Sequence, residues 1–186
     1  MIISIKKILK SCFYFTTISI MFYNISYSAD KMPYSIAKIK KETQINKLPD
    51  VDFVNLNNKI LYLNKELKKN ILIVNFWALW CAPCIKEMPD LNELSNKFGN
   101  NDSKILFINQ DNSKELKKVE EFVDRLNIDR SNVLMDFDMK SNKNFLLRGI
   151  PTTLIIDRRG IVKWRIEGVI DWTDKNLINW LIEGAN

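Results

Sequence analysis

The sequence predicts one α/β domain built on a mixed sheet, and three features point there. Residues 71–77 and 104–109 are near-continuous apolar runs, the composition of strands buried on both faces. Each is followed by apolar residues at helical spacing, which sets strand and helix in alternation. The chain then closes with two apolar runs joined by Arg158-Arg159-Gly160, an antiparallel hairpin.

Taken in order, Leu48-Pro49-Asp50 breaks a polar stretch and marks the predicted start of the domain. Residues 53–56 and 60–63 form a hairpin around Asn57-Asn58. Residues 71–77 make the central strand. Met88, Leu91, Leu94 and Phe98 line the next helix, with Pro89 expected to interrupt and kink it and Gly99 to stop it. Residues 104–109 are a second buried strand. Leu116, Val119, Phe122, Val123 and Leu126 mark one face of another helix. Residues 152–157 and 161–166 are the closing hairpin, and a last helix starts near Thr173-Asp174 and carries Leu177, Trp180 and Leu181.

Residues 1–29 have the pattern of a targeting segment. Lys6, Lys7 and Lys10 precede a charge-free run from Ser11 to Ala29, and Ser26-Tyr27-Ser28 puts small residues before a cleavage point after Ser28. A signal peptide and an uncleaved membrane anchor both fit, since the run is just long enough to span a bilayer. Cys12 within it does not suit lipidation, because Lys10 precedes it and the apolar stretch follows. Residues 30–47 are expected to be a linker, and 48–186 the domain.

The composition is that of a globular protein, 46% hydrophobic and 27% charged. The net charge of +6 includes three leader lysines, and the rest is too dispersed to argue for nucleic acid. The chain has no histidine. That removes Ser-His-Asp and Cys-His catalysis and histidine-ligated metal.

Trp80-Cys81-Ala82-Pro83-Cys84 holds the only cysteines after the leader. Two cysteines with two residues between them suit thiol–disulfide exchange, or half of a zinc site whose other half lies elsewhere. At a strand-to-helix junction, Cys81 would gain free N–H groups and the positive end of the helix dipole, which favour its thiolate. Cys84, one turn on, can reach back to close a disulfide. Cys81 is therefore the expected exposed nucleophile, Cys84 the buried resolving thiol, and Pro83 a first-turn residue whose missing N–H costs little. Glu87 follows Cys84 by three residues and shares its helix face. A buried carboxylate there could exchange a proton with Cys84, whereas a solvent-facing acid would do nothing. Trp77 and Trp80 fit packing better than a substrate platform, with Trp80 the more exposed. Pro151 after Ile150 would be trans on residue type alone.

The run from Val74 to Pro89, with Gly149-Ile150-Pro151-Thr152-Thr153 downstream, resembles the TlpA/ResA/CcmG (DsbE) group of exported thioredoxin-like proteins. The resemblance covers about residues 48–183, and Gly168-Val169-Ile170-Asp171-Trp172 looks most like the TlpA branch. It implies a thioredoxin fold, a mixed sheet flanked by helices, with an extra N-terminal hairpin and an inserted strand–helix unit. It implies a redox-active Cys81–Cys84 disulfide and a cis Pro151. It also implies a substrate groove formed by Trp80, Ala82, Pro83, Ile150 and Pro151, and a proton role for Glu87. No cofactor or metal is expected.

The implied activity is that of a periplasm-facing thiol:disulfide oxidoreductase, a reductant of partner disulfides. Partners implied are apocytochrome c or copper-site proteins of cytochrome oxidase assembly, with a membrane thiol transporter as electron donor. The alternatives are a disulfide-introducing oxidant, a Cu(I)-carrying assembly chaperone, or a scaffold in which the pair is idle. A peroxiredoxin would need a cysteine in a Pro-Thr-containing loop, which the sequence does not offer.

Overall fold

A computed structural model describes residues 38–67, 71–98 and 103–183. The expected leader, the first part of the expected linker and the helix stop at Gly99 lie outside those residues. Eight strands form one sheet: β1 (Ile39–Lys41), β2 (Asp52–Asn55), β3 (Ile60–Tyr62), β4 (Leu72–Trp77), β5 (Lys104–Asn109), β6 (Val133–Met135), β7 (Thr152–Ile156) and β8 (Val162–Glu167). Their order is β1-β8-β7-β4-β5-β6-β2-β3. The helices are α1 (Ala82–Phe98), α2 (Leu116–Arg125), α3 (Lys140–Asn144) and α4 (Lys175–Ile182).

At the centre, β4 pairs parallel with β5 and antiparallel with β7, which pairs antiparallel with β8. With α1 and α4, this βαβ-then-ββα frame is the thioredoxin fold. The N-terminal hairpin β2–β3 is present, and the inserted unit is α2 followed by β6. The hairpin attaches through β2 to β6, which extends the sheet beyond β5.

Every residue of β4 and β7 is buried, because the sheet is covered on both faces. Alternation sorts their side chains. Ile73 and Trp77 face a core shared with Cys84, Met88, Leu91 and Leu94 of α1, Val119 and Phe122 of α2 and Leu177 of α4. Leu72, Val74 and Phe76 face a second core closed by Ile45, Leu48, Val51, Phe53, Leu63 and Phe145. Asn75 shares its parity with Ile73 and Trp77 and so looks toward α1.

Both tight hairpins use the same device. In the turn after β2, Asn58 N–H donates to Asn55 C=O (2.9 Å), Asn58 is left-handed (φ 58°), and Asn55 Oδ1 accepts from Asn57 and Lys59 N–H. After β7, Gly160 N–H donates to Asp157 C=O (2.9 Å), Gly160 is left-handed (φ 79°), and Asp157 Oδ1 accepts from Arg159 and Ile161 N–H. The first turn thus spans Asn55–Asn58 rather than the Asn57-Asn58 pair alone. Asparagine and glycine occupy the left-handed positions because they tolerate that region best.

Three expectations are corrected. The sheet begins before Leu48, since β1 pairs antiparallel with β8, Ile39 opposite Ile166, within the expected linker. Glu42 explains its hold: one carboxylate oxygen accepts from Thr43, Gln44 and Ile45 N–H, and the other pairs with the buried Arg165 guanidinium. Second, Pro89 does not interrupt α1. Its ring lies on the exposed face, where the Ile85 carbonyl it leaves without an N–H partner can be hydrated. Third, α3 is an additional element, and β6, the strand of the inserted unit, has no place in the residue-by-residue reading. Three residues, Val133-Leu134-Met135, are too short to announce a strand, and Lys140–Asn144 has no apolar face.

Candidate functional site

The site is assembled where β4 gives way to α1. After Trp77 the backbone turns, with Cys81 N–H donating to Ala78 C=O (3.1 Å), and Leu79 N–H donates to Asp111 Oδ2 (2.7 Å). Asp111 stands at the end of β5 and is locked by Asn109, whose Nδ2 donates to the same oxygen (2.8 Å). Gln110 N–H bonds Trp77 C=O (2.8 Å). The active loop is thereby tied to the neighbouring parallel strand at two points. Sequence reasoning missed Asp111 because an acid just past a strand looks like any loop residue.

Cys81 caps α1. Its C=O accepts the Ile85 N–H (3.1 Å), and its Sγ accepts the Cys84 N–H (3.3 Å). The sulfur therefore occupies the place of a helix N-cap oxygen. Pro83 lies between them, in the first turn as expected, and supplies no N–H. Cys81 and Cys84 form a disulfide (S–S 2.01 Å, Cα–Cα 5.3 Å). Cys81 is 5% exposed and Cys84 fully buried. The order of access is as expected, but Cys81 is far less open than an exposed nucleophile, since it packs in the core beside Trp77 and Ala78.

Glu87 faces inward with Cys84 and is almost fully buried. Its Oε1 accepts from Asn75 Nδ2 (3.1 Å) and its Oε2 from Trp172 Nε1 (3.0 Å). Asn75 Nδ2 also donates to Thr153 Oγ1 (2.9 Å). Burial pushes the Glu87 carboxyl up to about 7, while the Trp172 and Asn75 hydrogen bonds pull it down and the charge of Asp90 adds to the rise. A group balanced near neutrality can take up or give a proton at little cost. Asn75 had a signal in the sequence: one amide inside an otherwise apolar strand. Trp172 and Thr153 stood in segments that carry the family resemblance, but nothing in the sequence tied either to Glu87.

The other expected residues divide clearly. Trp77 is a packing residue, wholly buried with its ring tilted against Phe122 at 5.4 Å. Trp80 is not, being 64% exposed beside Cys81. Ala82 and Pro83 are exposed and Ile150 is half-buried. The Ile150–Pro151 peptide is cis, where residue type alone favours trans and the resemblance implies cis. Phe76 pairs with Thr152, so the register brings Pro151 level with Trp77, at the same sheet end as the cysteine loop. A cleft of about 210 Å³ opens there, lined by Arg148, Gly149, Ile150, Pro151, Thr152, Glu167 and Gly168. Arg148 and Glu167 pair across it.

Comparison with known proteins agrees with this geometry. The family model described as AhpC/TSA matches residues 45–165, a span that includes both motifs. Thiol-disulfide oxidoreductase ResA of Bacillus cereus is 32% identical over 130 residues, covering 69% of this chain and 73% of that protein. Thiol:disulfide interchange protein DsbE of Pseudomonas fluorescens biotype C is 32% identical over 117 residues, 59% of this chain and 60% of that one. The crystal structure of a DsbE-type interchange protein from Chlorobium tepidum superposes with a TM-score of 0.67 at 20% identity, covering 79% of this chain and 99% of that one. That last likeness speaks for the fold. A helix-capping cysteine pair, both motifs in register and relatives of this kind agree: the chain belongs to the AhpC/TSA family, as a thiol–disulfide oxidoreductase of the ResA and DsbE type.

Proposed function

We propose that this chain is an exported, periplasm-facing reductant of partner disulfides, with Cys81 as nucleophile, Cys84 as resolving thiol and Glu87 as proton acceptor. In the reduced protein, the Cys81 thiolate attacks one sulfur of a partner disulfide, and the other leaves as a thiolate. Glu87 takes the Cys84 proton, and the Cys84 thiolate then attacks Cys81 Sγ. The second partner sulfur departs, two electrons have passed to the partner, and the Cys81–Cys84 disulfide remains. A partner segment would lie in the cleft along Ile150 and Pro151, against Trp80, Ala82 and Pro83.

The single observation that carries the reading is Cys81 Sγ in the N-cap position, accepting the Cys84 N–H (3.3 Å). In the reduced protein the same N–H would favour the Cys81 thiolate, the form that attacks. What supports a reducing direction is how little else stabilises it. Pro83 removes one first-turn donor, and the ionisable group sharing the pair's buried face is an acid. Strong oxidants owe their potential to a stabilised reduced form, and a first turn one donor short, beside a buried acid, supplies less of that stabilisation.

Export rests on the pattern of residues 1–29, acting as signal peptide or membrane anchor. Among the described residues no helix is long and apolar enough to cross a membrane. Partners in cytochrome c maturation or oxidase copper-site assembly, and a membrane thiol transporter as donor, rest on the family resemblance.

The test is the reduction potential, set by equilibrium with glutathione. We expect a value nearer the about −270 mV of thioredoxin than the about −120 mV of a strong oxidant. A potential above about −150 mV would make the protein a disulfide donor instead. Retention of Cu(I) by the reduced pair against a strong chelator would favour a copper carrier.

A further inference from the structure

An amide in a strand buried on both faces needs a reason. Asn75 is fully buried; its Nδ2 donates to Glu87 Oε1 (3.1 Å) and Thr153 Oγ1 (2.9 Å), while its Oδ1 has no hydrogen-bond partner. The second Glu87 oxygen is held by Trp172 Nε1 (3.0 Å). An ionised carboxylate only accepts, so two N–H donors suit it.

The neutral acid has a different need: one oxygen now carries a proton and requires an acceptor. The Trp172 indole can only donate, so Oε2 remains the acceptor and the proton falls to Oε1. There it would confront Asn75 Nδ2, donor against donor. Turning the Asn75 amide over brings Oδ1 to that place. It then accepts from Glu87 Oε1–H and from the Thr153 hydroxyl, which donates as readily as it accepts. The amide nitrogen takes over the unpartnered position. Both arrangements keep three hydrogen bonds among the four residues, so the proton can come and go without breaking the network.

We propose that Asn75 is a positioning residue that follows the proton on Glu87, its side-chain amide turning over between the ionised and the neutral acid, with Thr153 as adaptable partner and Trp172 as fixed donor. The inference deepens the proton role given to Glu87 and rests on it, but it is read out on Glu87 itself. The ionisable groups around Glu87 are Asp90 on its own helix and the cysteine pair. Among the described residues, β4, β7 and the segment entering α4 contribute the uncharged Asn75, Thr153 and Trp172.

The experiment follows two signals in the oxidised full chain by NMR: the Glu87 carboxyl carbon, assigned with E87Q, and the Asn75 side-chain amide. The carboxyl should titrate near 7, and the Asn75 amide resonances should move with the same midpoint. Trp172→Phe and Asn75→Ala each remove a bond that is stronger to the carboxylate than to the neutral acid and should raise the midpoint, by less than about one unit for Asn75, which serves both forms, the acid limb of the resolving step moving with it. An Asn75 amide indifferent to the Glu87 titration would overturn the proposal. So would a rise of about two units or more in Asn75→Ala, the mark of a donor that serves the carboxylate alone. The wild-type amide signal needs no variant, so a poorly folding Asn75→Ala does not shield the idea. If E87Q exchanged disulfides at the wild-type rate, the proton role would fall while the titration still judged the positioning.

Discussion

Glu87→Gln offers a quantitative test of the buried acid, through stability rather than turnover. Burial raises the folded-state carboxyl from the ordinary 4.5 to about 7. A group raised on folding holds its proton more tightly in the folded state, so its stabilising contribution is complete below about 4.5 and is lost as pH rises through about 7. The span of some 2.5 units, at about 1.36 kcal/mol each, gives about 3 kcal/mol between acid and about pH 8. Glutamine cannot ionise, and it mimics the neutral acid, with its oxygen on Trp172 and its amide on the turned Asn75. The difference in unfolding free energy between wild type and E87Q should therefore move by about 3 kcal/mol in favour of the variant as pH rises from about 4.5 to about 8. Denaturant unfolding of the oxidised proteins measures it. The cysteines are silent in that form, and the acid-side losses from Asp157, Glu167 and Glu42, whose carboxyls lie below their usual values, cancel in the difference. A difference independent of pH would refute the account of Glu87 as a buried, proton-exchanging acid.

Asp111→Ala takes the acceptor from Leu79 N–H and Asn109 Nδ2; it should lower stability by about 2 kcal/mol in denaturant unfolding and slow disulfide exchange by loosening the cysteine loop. Arg165→Ala strands the Glu42 carboxylate without its cation; with three backbone N–H groups still serving that carboxylate, the loss should be about 3 kcal/mol, with faster amide exchange along β1. Gly160→Ala forces a side chain into a left-handed turn (φ 79°) and sets its Cβ 3.0 Å from Leu67 Cδ1, so thermal unfolding should show a loss of about 1–2 kcal/mol with exchange activity unchanged.

The parts of the fold written in long local patterns were legible. Residues 71–77 and 104–109 announced the central strands by unbroken hydrophobicity, and the turn residues announced both hairpins. β1 was not legible, because Ile39 sits among lysines and the segment is held by distant β8, through strand pairing and through Arg165 on Glu42. β6 was not, because three residues carry no periodicity. In the site, Cys81, Cys84 and Pro83 could be placed from spacing, and Glu87 from its position one turn beyond Cys84. Its surroundings could not, because Trp172 reaches it from 85 residues away, and Thr153, which holds Asn75, lies 78 residues beyond that amide. Asn75 alone left a trace, a polar residue where the strand had no surface to show. The cis form of Ile150–Pro151 followed from family resemblance and from nothing in the dipeptide itself.

The central claim is that Cys81 attacks and Cys84 resolves, and it is most directly tested by letting each single-cysteine variant, Cys84→Ser and Cys81→Ser, react with a disulfide-bonded peptide. With Cys81 alone, a mixed disulfide should form quickly and persist for want of a resolving thiol. With Cys84 alone, buried within the helix, it should form slowly or not at all. Equal trapping by both variants, or faster trapping through Cys84, would contradict the assignment.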